Sequence, residues 1–184
     1  MPTPPDTLAV KTPSFRVEHV VSTVAGPRRS AMGVLPAAGI AIAALLLVSA
    51  AGAVFPPGAW YDALLKPAFT PPDAVFGPAW AVLYAFNAVA LTLVLRSPRG
   101  RARRDALVAM GAQLALNALW TPVFFGAHSL LGGLVVITAM LVAIAFAIAR
   151  VHRVSRVGAW LLVPYLGWVA FATLLNLSIW MLNA

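Results

Sequence analysis

Gln113, Asn117, Trp120 and Phe124 follow one another at spacings of four, three and four. On a helix that puts two amides and two flat rings on one face. Trp80, Tyr84, Asn87 and Leu91 repeat the pattern, and Tyr165, Trp168, Ala172 and Asn176 give a third stripe. Aromatic faces with a few amide donors among them suit a large, planar, apolar ligand. The same residues admit another reading, because Asn and Gln inside lipid hold helices together at about 0.6–2 kcal/mol a contact. Spacing alone leaves pocket and helix-to-helix contact open. Trp60, Trp160 and Trp180 fall near segment ends and read instead as an interfacial belt.

Conventional catalytic constellations are missing. The five acids, Asp6, Glu18, Asp62, Asp73 and Asp105, all lie outside the apolar segments, so no carboxylate pair and no mid-membrane proton carrier is expected. His19, His128 and His152 lack metal-ligand spacing, and the chain has no Cys, so no metal site is expected. There is no glycine-rich phosphate loop.

These stripes need helices to carry them, and composition says what kind. Hydrophobic residues make up 61% of the 184 and charged residues 10%, against about 45–50% and about 25% in soluble domains. So much apolar surface needs lipid as its solvent. Five uncharged stretches stand out, at about 35–55, 74–95, 106–127, 129–149 and 157–181. Each reaches the ~20 residues that cross a bilayer as a helix. The fold expected is an all-α integral membrane protein, a bundle of five transmembrane helices. Residues 1–34, with five prolines and no sustained period, read as a disordered cytoplasmic extension ahead of the 35–184 domain. A signal peptide cleaved near Ala51-Gly52-Ala53 is the competing reading, although its apolar run is long for one.

With five spans, one side of the membrane holds Lys11, Arg16, Arg28, Arg29, Arg96, Arg99, Arg101, Arg103, Arg104, Arg150, Arg153 and Arg156, and the other only Lys66. The positive-inside rule then places the N-terminus in the cytoplasm and Ala184 outside. The net charge of +8 is explained by loops that face anionic lipid, and no nucleic-acid partner is expected. Eleven Arg against two Lys, with heavy Ala usage, hints at a high-GC genome and a bacterial cell membrane.

The stretch from Pro56 to Pro78 interleaves Trp60, Tyr61 and Lys66 with prolines. Proline fixes φ and restricts its neighbour, so a structured lid over the bundle mouth is expected between the first two helices.

At these residues the chain resembles the tryptophan-rich sensory protein family, also called translocator protein or peripheral-type benzodiazepine receptor (TspO/MBR). The matching signatures are Trp60-Tyr61 with Lys66-Pro67 and Pro71-Pro72, then Gly77-Pro78-Ala79-Trp80 with Leu83-Tyr84. Gln113-Leu114-Ala115-Leu116-Asn117 runs on into Trp120-Thr121-Pro122-Val123-Phe124-Phe125-Gly126, and Pro164-Tyr165-Leu166-Gly167-Trp168 is followed by Leu175-Asn176. The resemblance covers about residues 35–181. It implies a five-helix bundle, commonly a homodimer, that binds porphyrins and isoquinoline-type drugs under the first loop, with links to tetrapyrrole and stress regulation. No cofactor is required; a porphyrin such as protoporphyrin IX is the ligand. Carried onto matching positions, the pocket comprises Trp60, Phe76, Trp80, Tyr84, Asn87, Gln113, Asn117, Trp120, Trp168, Ala172 and Leu175. If members degrade porphyrin with light, Trp120 and Trp168 are the reactive candidates; a structural partner of other membrane proteins is the remaining alternative. The lid is less aromatic than the family's, with Ala68, Phe69 and Ala74 where tryptophans are common. Leu177 and Met181 replace the Tyr and Arg of the cholesterol motif, so cholesterol binding is not expected. Gly111 and Ala115, a small-xxx-small pair facing away from the Asn117 stripe, mark a dimer interface.

Overall fold

The computed structural model describes Met1 and residues 32–184; the expected extension, apart from its two ends, lies outside the described residues. Six α-helices follow in order: α1 Val34–Val54, α2 Ala59–Asp62, α3 Asp73–Arg96, α4 Arg101–Thr121, α5 Leu130–His152 and α6 Arg156–Asn183. A π-helical segment, Pro122–Gly126, continues α4. Five helical stretches are long and apolar enough to cross a bilayer, and no strand occurs among the described residues. The protein is an all-α membrane bundle.

α1 lies against α3, α3 against α6, α6 against α5, α5 against α4 and α4 against α1, closing a ring of five spans. The outward faces stay apolar, with Leu35, Leu47, Val108, Val142 and Trp160 all more than 60% exposed. Helices apolar on both faces belong in lipid rather than water.

The bundle is filled differently along its length. At the Arg-bearing end, Ala37, Ala41, Ala90, Ala106 and Ala147 are fully buried beside Met110, Val94 and Leu162. Small residues let the backbones approach closely there. At the opposite end Tyr61, Phe124, Leu175 and Ile179 form a smaller cluster with Trp60, Phe76 and Trp120. Bulky rings hold the helices apart, and space remains between them.

Two of the spans begin where the sequence supplies an acceptor. Ser129 and Ser155 cap α5 and α6, each hydroxyl accepting from the backbone N–H three residues on, at 3.1 and 3.0 Å. Helix α4 starts earlier than the apolar stretch at 106–127 suggests, with Arg101, Arg103 and Arg104 in its first turns. Apolar runs mark what the hydrocarbon covers, and a helix need not stop at that surface. The same span does not end as a plain helix. Pro122 has no N–H to offer, and the chain widens so that Ala127 N–H reaches Pro122 O at 2.8 Å.

Between α1 and α3 the chain forms the lid. Its short helix α2 carries Trp60 and Tyr61, and Thr70 closes a turn on the Pro67 carbonyl through both its hydroxyl (2.7 Å) and its N–H (3.0 Å).

Candidate ligand-binding cavity

A cavity of about 500 Å³ lies under the lid, within the roughly 300–1,000 Å³ typical of small-molecule sites. Every span contributes to its wall. Val48, Ser49 and Gly52 come from α1, with Phe55, Pro57 and Tyr61 from the connection that follows. α3 brings Asp73, Phe76, Trp80 and Tyr84, and α4 brings Asn117, Trp120 and Thr121. Phe124 and Phe125 enter from the π segment, Ile137 and Met140 from α5, and Trp168, Ala172, Leu175, Asn176 and Ile179 from α6.

The three helical stripes do converge. Of the residues expected in the pocket, Phe76, Trp80, Tyr84, Asn117, Trp120, Trp168, Ala172 and Leu175 line the cavity. Asn87, Gln113 and Trp60 do not. Asn87 and Gln113 are fully buried one to two turns deeper, where Gln113 Nε2 donates to Asn87 Oδ1 at 3.1 Å and Asn87 Nδ2 to the Leu83 carbonyl. They join α3 to α4 in the close-packed half. A stripe of twelve residues rises about 16 Å along a helix, and the cavity takes up only its upper part. Trp60 sits behind the wall, 5.7 Å from Phe124 and stacked on His128 at 4.5 Å and 15°. His128 adopts φ 51 to end the π segment, a left-handed conformation unusual for a residue with a Cβ. Trp160, 70% exposed at the other end of the bundle, faces outward as a belt residue does.

The cavity floor is a relay of hydrogen bonds across four helices. Tyr84 O–H donates to Asn117 Oδ1 at 2.9 Å, Asn117 Nδ2–H to the Tyr165 hydroxyl at 2.8 Å, and Tyr165 O–H to Met140 Sδ at 3.4 Å. Each member fixes the next, so the Asn117 amide is held in place between Tyr84 and Tyr165. It retains one lone pair and one N–H for a ligand. Higher up, Trp120 Nε1 donates to Asn176 Oδ1 at 3.4 Å, and Asn176 Nδ2 to the Leu130 carbonyl at 3.2 Å.

The side walls are ring on ring. Trp120 stacks on Phe124 with centroids 4.9 Å apart and planes 17° off parallel. Phe76 meets Trp168 edge-to-face at 6.0 Å, and Trp80 lies 5.4 Å from Tyr84. Trp168 also borders an open apolar groove between α3 and α6, with Pro78, Pro164 and Phe171. It is the partition between cavity and groove, and its buried indole N–H has no hydrogen-bond partner.

In the lid, Lys66 Nζ lies 4.5 Å over the Tyr61 ring and donates to the Asp62 carbonyl at 3.3 Å. Burial pushes the Tyr61 phenol above its ordinary value, and the carboxylates of Asp73 and then Asp62 push it further. Sequence reasoning missed the contributions of α1 and α5. Those residues are aliphatic or small and carry no pattern that separates a cavity wall from a packed face. Among the described residues no group of three His, Cys, Asp or Glu could hold a metal.

A model of the TspO/MBR family matches residues 37–181. Protein CrtK of Rhodobacter capsulatus is 38% identical over 139 residues, covering 73% of this chain and 84% of its own. The tryptophan-rich protein TspO of Archaeoglobus fulgidus is 38% identical over 146 residues, 78% of this chain and 94% of its own. The human translocator protein is 40% identical over 126 residues, 66% of this chain and 73% of its own.

Proposed function

Because the chain belongs to the TspO/MBR family, we propose that it is a membrane receptor or carrier for porphyrins and similar planar apolar ligands, held in the cavity under the lid. The observation that carries this reading is the aromatic cavity with a fixed amide at its floor. Trp80, Trp120 and Trp168 supply flat faces for stacking, and the Tyr84–Asn117–Tyr165 relay sets one donor and one acceptor beneath them. Rings held by packing bind a planar ligand with little further ordering cost. The family resemblance adds a role in tetrapyrrole or stress regulation to this reading.

Titration of the purified protein with protoporphyrin IX, followed by tryptophan quenching, tests the reading. Saturable quenching at one ligand per chain is expected. Its absence would favour a structural partner of other membrane proteins.

A second reading is light-dependent breakdown of the bound porphyrin, supported by the place of Trp120 and Trp168 in the cavity wall. Product analysis after illumination separates the two, since a carrier returns its ligand unchanged. We further propose that the protein sits in a bacterial cell membrane with its N-terminus in the cytoplasm, and that it forms a homodimer through Gly111 and Ala115. Both residues are exposed on α4, on the side away from buried Asn117 and Gln113.

A further inference from the structure

Of the described residues that line the cavity, only Asp73 carries a charge. It is the first residue of α3, exposed at the rim where the lid meets the bundle. Among the described residues no Lys or Arg lines the wall. The lid's cation, Lys66, is engaged elsewhere: its Nζ faces the Asp62 and Leu64 carbonyls at 3.3 and 3.5 Å and the Tyr61 ring. His128 is stacked on Trp60, behind the wall. The arginines of the described chain all lie at the far ends of the spans, from Arg96 to Arg104 and from Arg150 to Arg156. Among the described residues the side chains at the lid end thus carry two carboxylates, Asp62 and Asp73, against one ammonium. The field of Asp73 reaches the cavity wall, since its carboxylate acts on the phenol of Tyr61, itself a lining residue.

An acid in the first turn of a helix also interacts well with the helix dipole, which accounts for Asp73 without any ligand. That explanation makes no difference between ligands of different charge, and so the two can be told apart.

The geometry points to Asp73 as a charge selector at the mouth: the cavity favours planar ligands that are uncharged or place a cationic group there, and disfavours those that place carboxylates there. The inference rests on the cavity being the ligand site. A ring bearing propionates must then bind with its carboxylates turned away from Asp73, while an esterified or amine-bearing ring meets no such restriction.

The full chain in neutral detergent micelles, titrated by tryptophan quenching with protoporphyrin IX and with its dimethyl ester, tests this. The quantity read is the ratio of the two dissociation constants, compared between wild type and variants so that partition of each compound into the micelle cancels. Asp73→Asn is expected to shift the ratio toward the diacid by about 1.5- to fivefold at low salt, the range for a screened charge pair. Asp73→Lys is expected to shift it further, and Asp73→Glu to keep the wild-type ratio. High salt should shrink the differences. Saturable binding of both compounds with one ratio across all four proteins overturns the inference and leaves the site reading intact. No saturable quenching by either compound overturns both.

Discussion

The side-chain amide of Asn183 answers both backbone groups of Leu65, 118 residues earlier: Leu65 N–H donates to Asn183 Oδ1 at 3.0 Å, and Asn183 Nδ2 donates to Leu65 O at 2.9 Å. The last residue of α6 is thereby a latch on the lid. Asn183 Nδ2 also donates to the Ile179 carbonyl at 2.7 Å, which fixes the amide on its own helix. Asn183→Leu removes both lid bonds without touching the cavity wall. With hydrogen bonds worth about 0.5–1.5 kcal/mol net, and less where water competes, ligand dissociation should quicken by about three- to tenfold. Stopped-flow release of protoporphyrin IX measures it, and an unchanged rate would mean the lid is held by its packing alone.

Gly133 is required by close approach. A Cβ there would stand 2.6 Å from Phe124 Cδ2 and 3.1 Å from Asn176 Oδ1. Both neighbours are buried and line the cavity, so neither can retreat without disturbing the Trp120 stack or the Asn176 bond to Leu130. Gly133→Ala should cost about 1–3 kcal/mol, as overpacking does, and should weaken porphyrin binding along with thermal stability. A wild-type melting temperature in the same detergent would contradict this account.

The sequence made the bundle legible because lipid leaves few options. An apolar run of about 20 residues has to be a helix, and the helices lie where the uncharged stretches do. The cavity was legible in part. Aromatic and amide stripes have a period, and three of them marked the walls supplied by α3, α4 and α6. Spacing cannot say how far along a stripe the space extends, and so Asn87 and Gln113 fell below it. Nor does a period reveal that Ile137 and Met140 of α5 border the same space. The π segment was hidden for another reason: Pro122 forbids one hydrogen bond, but the sequence does not say whether the chain breaks, kinks or widens there; it widens, with Phe124 buried in the widened turn.

The dimer proposal separates from the ligand site through Gly111. A Cβ at Gly111 would meet nothing within 4 Å in its own chain. Gly111→Leu should therefore leave the folded monomer and its porphyrin affinity nearly as they were, while lowering the cross-linked dimer fraction in membranes. Small residues at such a face let two backbones approach, and a Leu would hold them apart. An unaltered dimer yield would reject this interface.

Orientation is testable on the Cys-free background. The Lys and Arg partition predicts that an impermeant thiol reagent added outside intact cells labels Lys66→Cys and not Arg101→Cys. Position 66 lies in the lid and position 101 begins α4 at the opposite end of the bundle. Labelling at 101 with protection at 66 would invert the arrangement, and the lid would open to the cytoplasm.

The last prediction sets a binding role for Trp168 against a packing one. Its indole N–H is buried without a partner, and its contacts are ring contacts, with Phe76 at 6.0 Å and Phe171 at 5.8 Å. Trp168→Phe keeps an aromatic face and removes an unsatisfied donor, so it should retain much of the porphyrin affinity. Trp168→Ala removes the face and should cost about 1–3 kcal/mol of binding, by analogy with bases stacked on aromatic side chains. That is a Kd about five- to 150-fold weaker. Ala would also take down the partition between the cavity and the groove along Pro78 and Pro164. Entry and exit should both quicken, and the comparison is therefore made on Kd. A residue that only packs the core would behave otherwise: Ala would lower stability by about 3–5 kcal/mol through the space it leaves, with little change in the affinity of the protein that stays folded. Thermal unfolding and porphyrin titration on the same two variants distinguish these outcomes. If light-dependent breakdown occurs at this residue, Trp168→Phe should still bind and no longer degrade. Intact affinity in folded Trp168→Ala would remove Trp168 from the site.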